Sequence, residues 1–169
     1  MDTNNFQRLG SISNAHVGRD FETIARTYFE LQGIHLTADF PVAVGASADK
    51  KCRKFDLGAE NPPVLVECKS HRWTSGGNIP SAKITVWNEA MYYFYLAPQH
   101  FRKVLFVLRD HSKRRGESLA EYYVRNYGHL IPDGVEIQEF NEGTKAVHSV
   151  LTTASTRTGF SARAPKPAG

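Results

Sequence analysis

The sequence predicts an α/β fold with a mixed central β-sheet flanked by helices. Apolar residues repeat at helical spacing in three segments, and short apolar runs typical of strands separate these segments. The resulting order is helix, three strands, helix, strand, helix, strand. Early strands joined by short turns are expected to pair antiparallel. Later strands joined through helices are expected to pair parallel, with helices on both faces of the sheet.

The first helix is predicted over residues 14–33. Asn14 is suited to the N-cap position, and Gly33 is suited to the C-terminal stop. Glu22 and Phe29 lie at the border of the apolar stripe. The ordinary interpretation of Glu22 at this position is a surface carboxylate beside the buried face. The residues expected on the buried face are Val17, Phe21, Ile24, Ala25, Tyr28 and Leu31.

Three predicted strands follow the first helix. The first covers residues 36–44, where Pro41 favours an edge position or a bend. The second is RKFDLGA, residues 53–59, and the third is VLVECK, residues 64–69. Because the turn-rich stretch ENPP separates the last two, we expect them to form a hairpin.

The remaining elements alternate between helices and strands. A second helix is predicted over residues 81–96, before Pro98, and KVLFVL, residues 103–108, is the continuous apolar run of a strand covered on both faces. A third helix, residues 118–127, precedes a strand at residues 135–140. The residues expected to be buried are Ile84, Trp87, Met91, Phe94 and Tyr95 on the second helix and Leu119, Tyr122 and Tyr123 on the third.

The chain is long enough to form one domain with its own core. Of its 169 residues, 41% are hydrophobic and 11% are aromatic, which is typical of a globular protein. We expect an N-terminal arm over residues 1–13 and a single domain over residues 14–141. Residues 142–169 are rich in Thr, Ser, Ala, Gly and Pro, which predicts a disordered tail.

The composition favours a cytoplasmic protein without membrane association. Two cysteines, Cys52 and Cys68, are too few for the disulfide framework of a small secreted domain. The first residues lack the charged and apolar regions of a signal peptide. No apolar run approaches the roughly 20 residues that span a bilayer. The net charge of +4 is compatible with nucleic acid as a partner.

The predicted hairpin brings charged side chains together at the end of an apolar strand. Because side chains alternate along a strand, Glu67 and Lys69 share one face. If the turn centres on Asn61 and Pro62, Asp56 lies opposite Glu67, with Cβ atoms roughly 4.5–5.5 Å apart. Carboxylates this close repel unless a cation lies between them. Mg²⁺ binds one or two protein carboxylates and keeps several waters, so this pair predicts a metal site.

The same residues have an ordinary interpretation as salt-bridged charges on a surface strand. Glu-x-Lys triplets are common, and the proposed facing depends on the register, because a slip of one residue turns the set to the other face. Two features favour the functional interpretation. The charges extend an apolar run, and the hairpin independently brings Asp56 to Glu67.

Asp56 followed by Glu67-Cys68-Lys69 after an apolar strand resembles the PD-(D/E)xK nuclease superfamily, also called restriction endonuclease-like. The order of helix, three strands, helix and strand resembles the common core of that superfamily, here with a further helix and strand. The segment HVGRDFE, which includes Glu22, resembles the Gly-x-x-Phe-Glu segment of Holliday-junction resolvases and Mrr-like restriction enzymes. Phe55 stands where the motif name has Pro.

The resemblance implies a metal-dependent nuclease that hydrolyses phosphodiester bonds in DNA. It implies that Asp56 and Glu67 bind Mg²⁺ or Mn²⁺, with the backbone carbonyl of Cys68 as a further ligand. Glu22 then helps to complete the metal site, where it orients a metal-bound water or a second ion. Lys69 positions or deprotonates the attacking water and stabilises charge on the phosphate. The alternative is a catalytically inactive member of the fold that binds nucleic acid or a protein partner.

The segment after the third strand contains candidates for DNA contact. His71 lies two residues beyond Lys69 and is close enough in sequence to reach the same site. In the loop SHRWTSGGN, Arg72 is suited to phosphate contact and Trp73 to base stacking. Packing of Trp73 against the domain is equally compatible with the sequence.

The second helix and the basic loop after the fourth strand supply further candidates. Lys83, Asn88 and Glu89 are candidates for the Gln or Lys that some subfamilies carry on the second helix. Outward-facing rings of this helix, such as Tyr92, are candidates for a homodimer interface. The basic loop contains three candidate phosphate-binding cations, which are Lys113, Arg114 and Arg115.

Overall fold

A computed structural model describes residues 14–152 of the chain, with side chains from residue 18 onwards. The helices are α1 (Asn14–Glu30), α2 (Ser81–Leu96) and α3 (Leu119–Tyr127), and a short 3₁₀ turn, Gly128–Leu130, follows α3. The strands are β1 (Thr37–Val44), β2 (Lys51–Glu60), β3 (Pro63–Lys69), β4 (Arg102–Leu108), β5 (His111–Ser112), β6 (Glu117–Ser118), β7 (Val135–Phe140) and β8 (Val147–Leu151).

Six of these strands form one mixed sheet in the order β1-β2-β3-β4-β7-β8. β1, β2 and β3 pair antiparallel, whereas β3, β4 and β7 run parallel because α2 and α3 lie in the connections between them. β8 runs antiparallel to β7, and β5 and β6 form a separate small hairpin. The predicted α/β class and the predicted directions of pairing are therefore confirmed.

The α1 helix covers one face of the sheet. Its residues Phe21, Ala25 and Phe29 belong to the buried cluster on this face. The Phe21 ring lies 5.5 Å from the ring of Phe106 on β4, measured between centroids. Because burial of each such ring contributes about 1.5–3 kcal/mol, these contacts hold α1 across the middle of the sheet.

The α2 and α3 helices cover the opposite face. Trp87 and Phe94 of α2 and Tyr123 of α3 lie in a second buried cluster, as the sequence predicts. α3 begins at a capping box, in which Ser118 accepts a hydrogen bond from the Glu121 N–H and the Glu121 carboxylate accepts one from the Ser118 N–H. This cap satisfies two backbone donors at the start of the helix.

The predicted burial of Leu31 is wrong. α1 ends at Glu30, because the N–H groups of Gln32 and Gly33 donate to carbonyls only three residues earlier, in tight turns. Gly33 itself adopts a φ of 76°, the left-handed conformation expected of a helix stop. Leu31 is consequently 83% exposed, and Phe29, which was expected at the border of the stripe, is fully buried instead.

The predicted burial of Tyr95 on α2 is also wrong. Tyr95 is 63% exposed, whereas Ala90 and Phe94 are buried. The apolar character of α2 extends around much of its circumference, so the sequence pattern does not define which of its rings face the sheet.

The predicted disordered tail is wrong for Val147–Leu151, which form β8. The pairs Phe140 with Val147 and Gln138 with Ser149 place this strand along β7. Pairing with β7 orders a segment whose composition alone is typical of a tail. The predicted arm over residues 1–13 and the chain from residue 153 onwards lie outside the described residues. Between residues 14 and 152, no helix is long and apolar enough to cross a membrane.

Candidate active site

The β2–β3 hairpin has the predicted register. Leu57 pairs with Val66, so the next position along β2, Asp56, faces the next position along β3, Glu67. The backbone pairing ends at Leu57 and Val66. Beyond that point the Cys68 N–H donates to Oδ2 of Asp56 at 2.7 Å. A carboxylate oxygen therefore accepts the hydrogen bond where backbone pairing with β2 has stopped.

An irregularity in β1 and β2 lies at Asp56. Phe55 packs in the cluster beneath α2, whereas Leu57, two residues further on, packs in the cluster beneath α1. Strict alternation would place both side chains on one face, so the alternation breaks at this point. On β1, Asp39 lies opposite Asp56 and adopts a φ of 51°, a left-handed conformation that Asp tolerates better than most residues.

Lys69 links the two carboxylates of the hairpin. Its Nζ donates to Oε2 of Glu67 at 2.7 Å and to Oδ2 of Asp56 at 3.3 Å. The exposed fraction of the side chain is 2% for Glu67, 13% for Lys69 and 28% for Asp56. The group is therefore closed to solvent at Glu67 and open at Asp56, so a ligand would approach from the Asp56 side.

Burial and crowding decide the charges in this group. Burial raises the pKa of Glu67 and the negative charge of Asp56 adds to this, which together outweigh the opposing effects of Lys69 and Arg53. Burial lowers the pKa of Lys69, but the charges of Glu67 and Asp56 outweigh burial, so the pKa of Lys69 is raised. Lys69 is therefore an ammonium ion at neutral pH and donates hydrogen bonds rather than accepting a proton.

Glu22 of α1 belongs to the same electrostatic group, as the sequence predicts. Burial raises the pKa of its carboxyl, and the charges of Asp56 and Asp39 raise it further, while Lys69 opposes them. The neighbouring Phe21 is buried against the sheet, which turns Glu22 to the edge of the covered face. Asp56 and Glu67 therefore contact Lys69 directly, and Glu22 lies within electrostatic range of the same group.

Arg53 of β2 is a member of this group that the sequence does not reveal. Its Nη2 donates to Oε1 of Glu67 at 3.1 Å, and its guanidinium carbon lies 3.8 Å from the centroid of the Tyr93 ring on α2. Regular alternation would place Arg53 on the face opposite Asp56 and Glu67. The break in alternation at Asp56 instead places Arg53 on the face that carries Glu67 and α2. Regular alternation in the sequence therefore predicts no contact between Arg53 and Glu67, whereas the structure has one.

The donor chemistry of the site fits Mg²⁺ or Mn²⁺. Asp56 and Glu67 offer carboxylate oxygens, and the backbone carbonyl of Cys68 adjoins Glu67. Among the side chains that the structure describes, no three His, Cys, Asp or Glu residues form a cluster that could hold a metal ion. Mg²⁺ nevertheless needs only one or two protein carboxylates, because it keeps several waters, so two carboxylates are sufficient.

Cys68 is not suited to act as a nucleophile. Burial raises the pKa of the Cys68 thiol well above its usual range, and the charge of Asp56 adds to the shift. The Cys68 side chain packs against the cluster beneath α1, on the face away from Glu67, as predicted. Cys52 is an exposed free thiol. Cys68 is therefore a packing residue, and its backbone is the part that adjoins the site.

His71 lies beside the site with its ring held by α2. The Nε1–H of Trp87 donates to Nδ1 of His71 at 2.8 Å, and the planes of the two rings differ by 23°, so the rings meet edge to edge. Burial lowers the pKa of His71 to about 4, and the charges of Lys83 and Lys69 add to the shift. At neutral pH His71 is consequently uncharged, with Nδ1 as an acceptor and the proton on Nε2.

Trp73 packs against the domain, and its use for base stacking stays a prediction. Its Nε1–H donates to the carbonyl of Asp110 at 3.0 Å, and the guanidinium carbon of Arg115 lies 4.8 Å from its ring centroid. Arg72 forms an ion pair with Glu142. The ring of Trp73 is therefore held by packing contacts on one side, and DNA contact by Trp73, Arg72 and Arg115 stays a prediction.

The other predicted DNA-contacting residues have different surroundings. Lys83 is exposed in the first turn of α2, on the side of the site. Lys113 and Arg114 are exposed in the turn between β5 and β6. Asn88 accepts a hydrogen bond from the hydroxyl of Tyr123 at 2.9 Å, so it connects α2 to α3. The structure does not bring Lys113 or Arg114 into contact with the acidic group.

The outer face of α2 carries exposed aromatic rings. Tyr92 is 54% exposed and Tyr95 is 63% exposed. Both rings line an open groove of about 760 Å³, together with Leu130. Exposed rings of this kind are compatible with a partner surface, and the homodimer stays a prediction.

Comparisons with known proteins add no assignment to this site. No family model, no curated protein and no solved structure matches the chain. The interpretation of the acidic group therefore depends on its own geometry and chemistry.

Proposed function

We propose that this chain is a metal-dependent nuclease that hydrolyses phosphodiester bonds in DNA, with the restriction endonuclease-like core that its sequence resembles. The observation that carries the proposal is the contact of one lysine, Lys69, with two carboxylates, Asp56 and Glu67, at the end of an apolar strand. A third carboxylate, Glu22, lies within electrostatic reach. Phosphodiester hydrolysis requires groups of this kind to bind a cation, to position water and to stabilise charge on phosphate.

Asp56 and Glu67 are the residues that would hold Mg²⁺ or Mn²⁺, with the carbonyl of Cys68 as a further ligand. When bound, the ion lowers the pKa of water and withdraws charge from the phosphate. Asp56 is the more accessible of the two carboxylates, so it offers the first point of contact for a cation entering from solvent.

Lys69 stabilises the negative charge that develops on the phosphate. In the metal-free protein the charges of Glu67 and Asp56 raise the pKa of Lys69, so its side chain is protonated and donates hydrogen bonds. We propose that Lys69 positions or deprotonates the attacking water and stabilises charge on the phosphate.

Glu22 is the group that we assign to the attacking water. Its raised pKa makes it a better proton acceptor than an ordinary glutamate, because a base is most effective when its pKa approaches the working pH. Glu22 is partly exposed, so water can reach its carboxylate. It stands on α1 rather than on the hairpin, which lets it approach the phosphate from a different direction than Lys69.

DNA is the proposed substrate because exposed cations accompany the acidic group. The chain carries a net charge of +4, and Lys83, Lys113 and Arg114 are exposed. Contacts of this kind supply binding that does not depend on sequence. The two free cysteines favour a reducing compartment, so we propose a cytoplasmic location.

A second candidate function is binding of nucleic acid or a protein partner without cleavage. The observation that favours it is the pairing of both Glu67 oxygens, one with Arg53 and the other with Lys69. A carboxylate already neutralised by two cations has less need of a metal ion. We rank this function second because binding alone has little use for two carboxylates that contact one buried lysine, with Glu22 within electrostatic range.

The test is cleavage of single-stranded, duplex and branched DNA in the presence of Mg²⁺, Mn²⁺ or EDTA. We expect the wild type to cleave at least one substrate with a metal and none in EDTA. Asp56→Asn and Lys69→Met are expected to abolish cleavage while circular dichroism shows a folded protein. Glu60→Gln is the matched control, because Glu60 is an exposed carboxylate at the turn end of the same hairpin.

Two outcomes distinguish the candidates. Cleavage that persists in EDTA, or in both site variants, contradicts the proposed site. DNA binding by the wild type without cleavage of any substrate supports the second candidate instead.

A further inference from the structure

Glu67 has a cationic partner on each of its carboxylate oxygens. Lys69 lies at Oε2 and Arg53 lies at Oε1, with donor distances of 2.7 and 3.1 Å. The Glu67 side chain is 2% exposed, so water does not compete for these positions. A divalent cation that binds Glu67 must therefore displace, or share an oxygen with, one of these two side chains.

The two partners of Glu67 differ in their other contacts. Lys69 also donates to Asp56, so it joins both carboxylates of the proposed metal site. Among the described residues Arg53 contacts no second carboxylate, and its guanidinium carbon lies 3.8 Å from the centroid of the Tyr93 ring and 5.8 Å from that of Phe55. Removal of Arg53 from Glu67 therefore leaves the contact between Lys69 and the two carboxylates intact.

Only some of the hydrogen-bond donors of Arg53 have partners among the described residues. Its Nε is buried and has no hydrogen-bond partner among the described residues. A buried donor without a partner destabilises the conformation that holds it, so the contact with Glu67 and the Tyr93 ring must compensate. The Arg53 side chain is 28% exposed, which leaves it a route to solvent that Glu67 lacks.

We propose that Arg53 is a positioning residue that neutralises Glu67 in the metal-free protein and releases Oε1 of Glu67 when a divalent cation binds. The inference rests on the proposed function, because it concerns the same metal site. Arg53 and the cation then compete for one carboxylate oxygen, so Arg53 sets the metal affinity of the site. The released guanidinium stays close to the site and can move along the Tyr93 ring towards solvent.

The test is isothermal titration calorimetry of the protein with Mg²⁺ and with Mn²⁺, without DNA. Arg53→Met keeps the apolar stem of the side chain and removes the guanidinium, and we expect it to bind either ion at least about fivefold more tightly than the wild type. Lys54→Met removes an exposed cation from the adjacent position of the same strand, and is expected to change the affinity by less than about twofold.

Two further variants show which contact is responsible. Glu67→Gln introduced into Arg53→Met is expected to abolish the gain, because the gain depends on the released carboxylate. Arg53→Lys keeps the charge but not the planar fork and is expected to give an intermediate affinity. It also serves as the second variant if Arg53→Met does not fold, which circular dichroism and thermal unfolding establish for each protein.

The outcomes separate this inference from the proposed function. Metal binding by the wild type with equal or weaker binding by Arg53→Met overturns the inference alone. Metal binding by Arg53→Met but not by the wild type overturns the release of Glu67 by Arg53 and places the wild type with the second candidate function. If neither protein binds either ion, both the inference and the proposed nuclease are wrong.

Discussion

Two carboxylates are buried near the carboxyl ends of the parallel strands on either side of β4, and their neighbours differ. The Glu67 side chain on β3 is 2% exposed and the Glu139 side chain on β7 is fully buried. Glu67 contacts two cations and faces a second carboxylate across the hairpin. Glu139 contacts Arg109 at 2.6 Å, and its Oε1 has no hydrogen-bond partner in the part of the chain that the structure describes.

This difference shows that a buried carboxylate at a strand end is not by itself a functional site. The neighbouring strand decides its role. β2 returns antiparallel beside β3 and brings Asp56 towards Glu67, whereas β8 returns beside β7 and places His148 opposite Glu139. We therefore interpret Glu67 as part of a cation site and Glu139 as one half of a structural ion pair.

The largest expected effect is on cleavage. Glu67→Gln is expected to lower the rate of metal-dependent DNA cleavage by about 10³-fold, because it removes one of the two carboxylates that would hold the metal ion. Glu139→Gln, the matched change on β7, is expected to leave the rate within about twofold. Initial rates on the preferred DNA substrate measure both, and equal losses in the two variants would remove the distinction between these strand ends.

The next largest effect is on the free energy of unfolding. Here a change beside Glu139 is expected to cost more than a change beside Glu67, the reverse of the order for cleavage. Arg109→Ala leaves Glu139 as an unpaired buried charge and is expected to lower the free energy of unfolding by about 3 kcal/mol. Arg53→Ala leaves Glu67 paired with Lys69, so a smaller loss of about 1 kcal/mol is expected. Urea unfolding at neutral pH measures the two losses, and a larger loss for Arg53→Ala would contradict this ranking.

The folding stability of the protein is expected to fall at acid pH because of His71, which lies close to Glu67 near the end of β3. Its pKa of about 4 in the folded protein lies below the 6.5 of an unperturbed histidine, so the unfolded chain binds the proton more readily. The contribution of His71 to stability is complete above about pH 6.5 and is lost as the pH falls through that window towards 4. The slope is at most about 1.4 kcal/mol per pH unit and is reduced because the ring is partly solvated.

The variant that tests this pH dependence is His71→Asn. It keeps a side chain that can accept the hydrogen bond from Trp87 but does not titrate. We expect a shallower fall in the midpoint of urea unfolding between pH 6.5 and 4 than in the wild type. An unchanged slope would assign the acid sensitivity to other groups.

The smallest expected effect concerns DNA affinity around the two strand ends. Lys83→Ala is expected to weaken binding about two- to fivefold and to reduce the slope of log affinity against log salt by about 1, as loss of one phosphate contact does. Lys145→Asn, in the turn between β7 and β8, is the control, since Asn tolerates the φ of 59° found there. Equal losses of DNA affinity in the two variants would contradict the prediction that DNA binds beside Glu67 rather than beside Glu139.

The predictions that the structure confirms depend on local patterns. The turn-rich stretch ENPP sets the loop of the hairpin, and that loop with the apolar run of β3 determines that Asp56 faces Glu67. The helical stripe of α1 similarly places Glu22 at the border of its buried face. These relationships involve residues close in sequence or related by one turn, so alternation and helical spacing were sufficient to predict them.

The contacts that the sequence does not reveal depend on packing between distant segments. Trp73 is held by Asp110 and Arg115, some 40 residues away along the chain. β8 is a strand because β7 offers it a hydrogen-bonding edge, while its own composition is typical of a tail. Nothing in the spacing of residues reports such contacts, since they depend on which surfaces meet after the chain has folded.

The sequence by itself determined the hairpin, its register and the acidic group at the end of β3, because these follow from turn chemistry and strand periodicity. Only the tertiary structure decided that Arg53 joins this group. The Phe40 ring lies over Gly58, where any Cβ would come within 2.5 Å of it, and Asp39 takes a left-handed φ beside Asp56. This packing accompanies the break in the alternation of β2 and turns Arg53 towards α2, where it reaches Glu67.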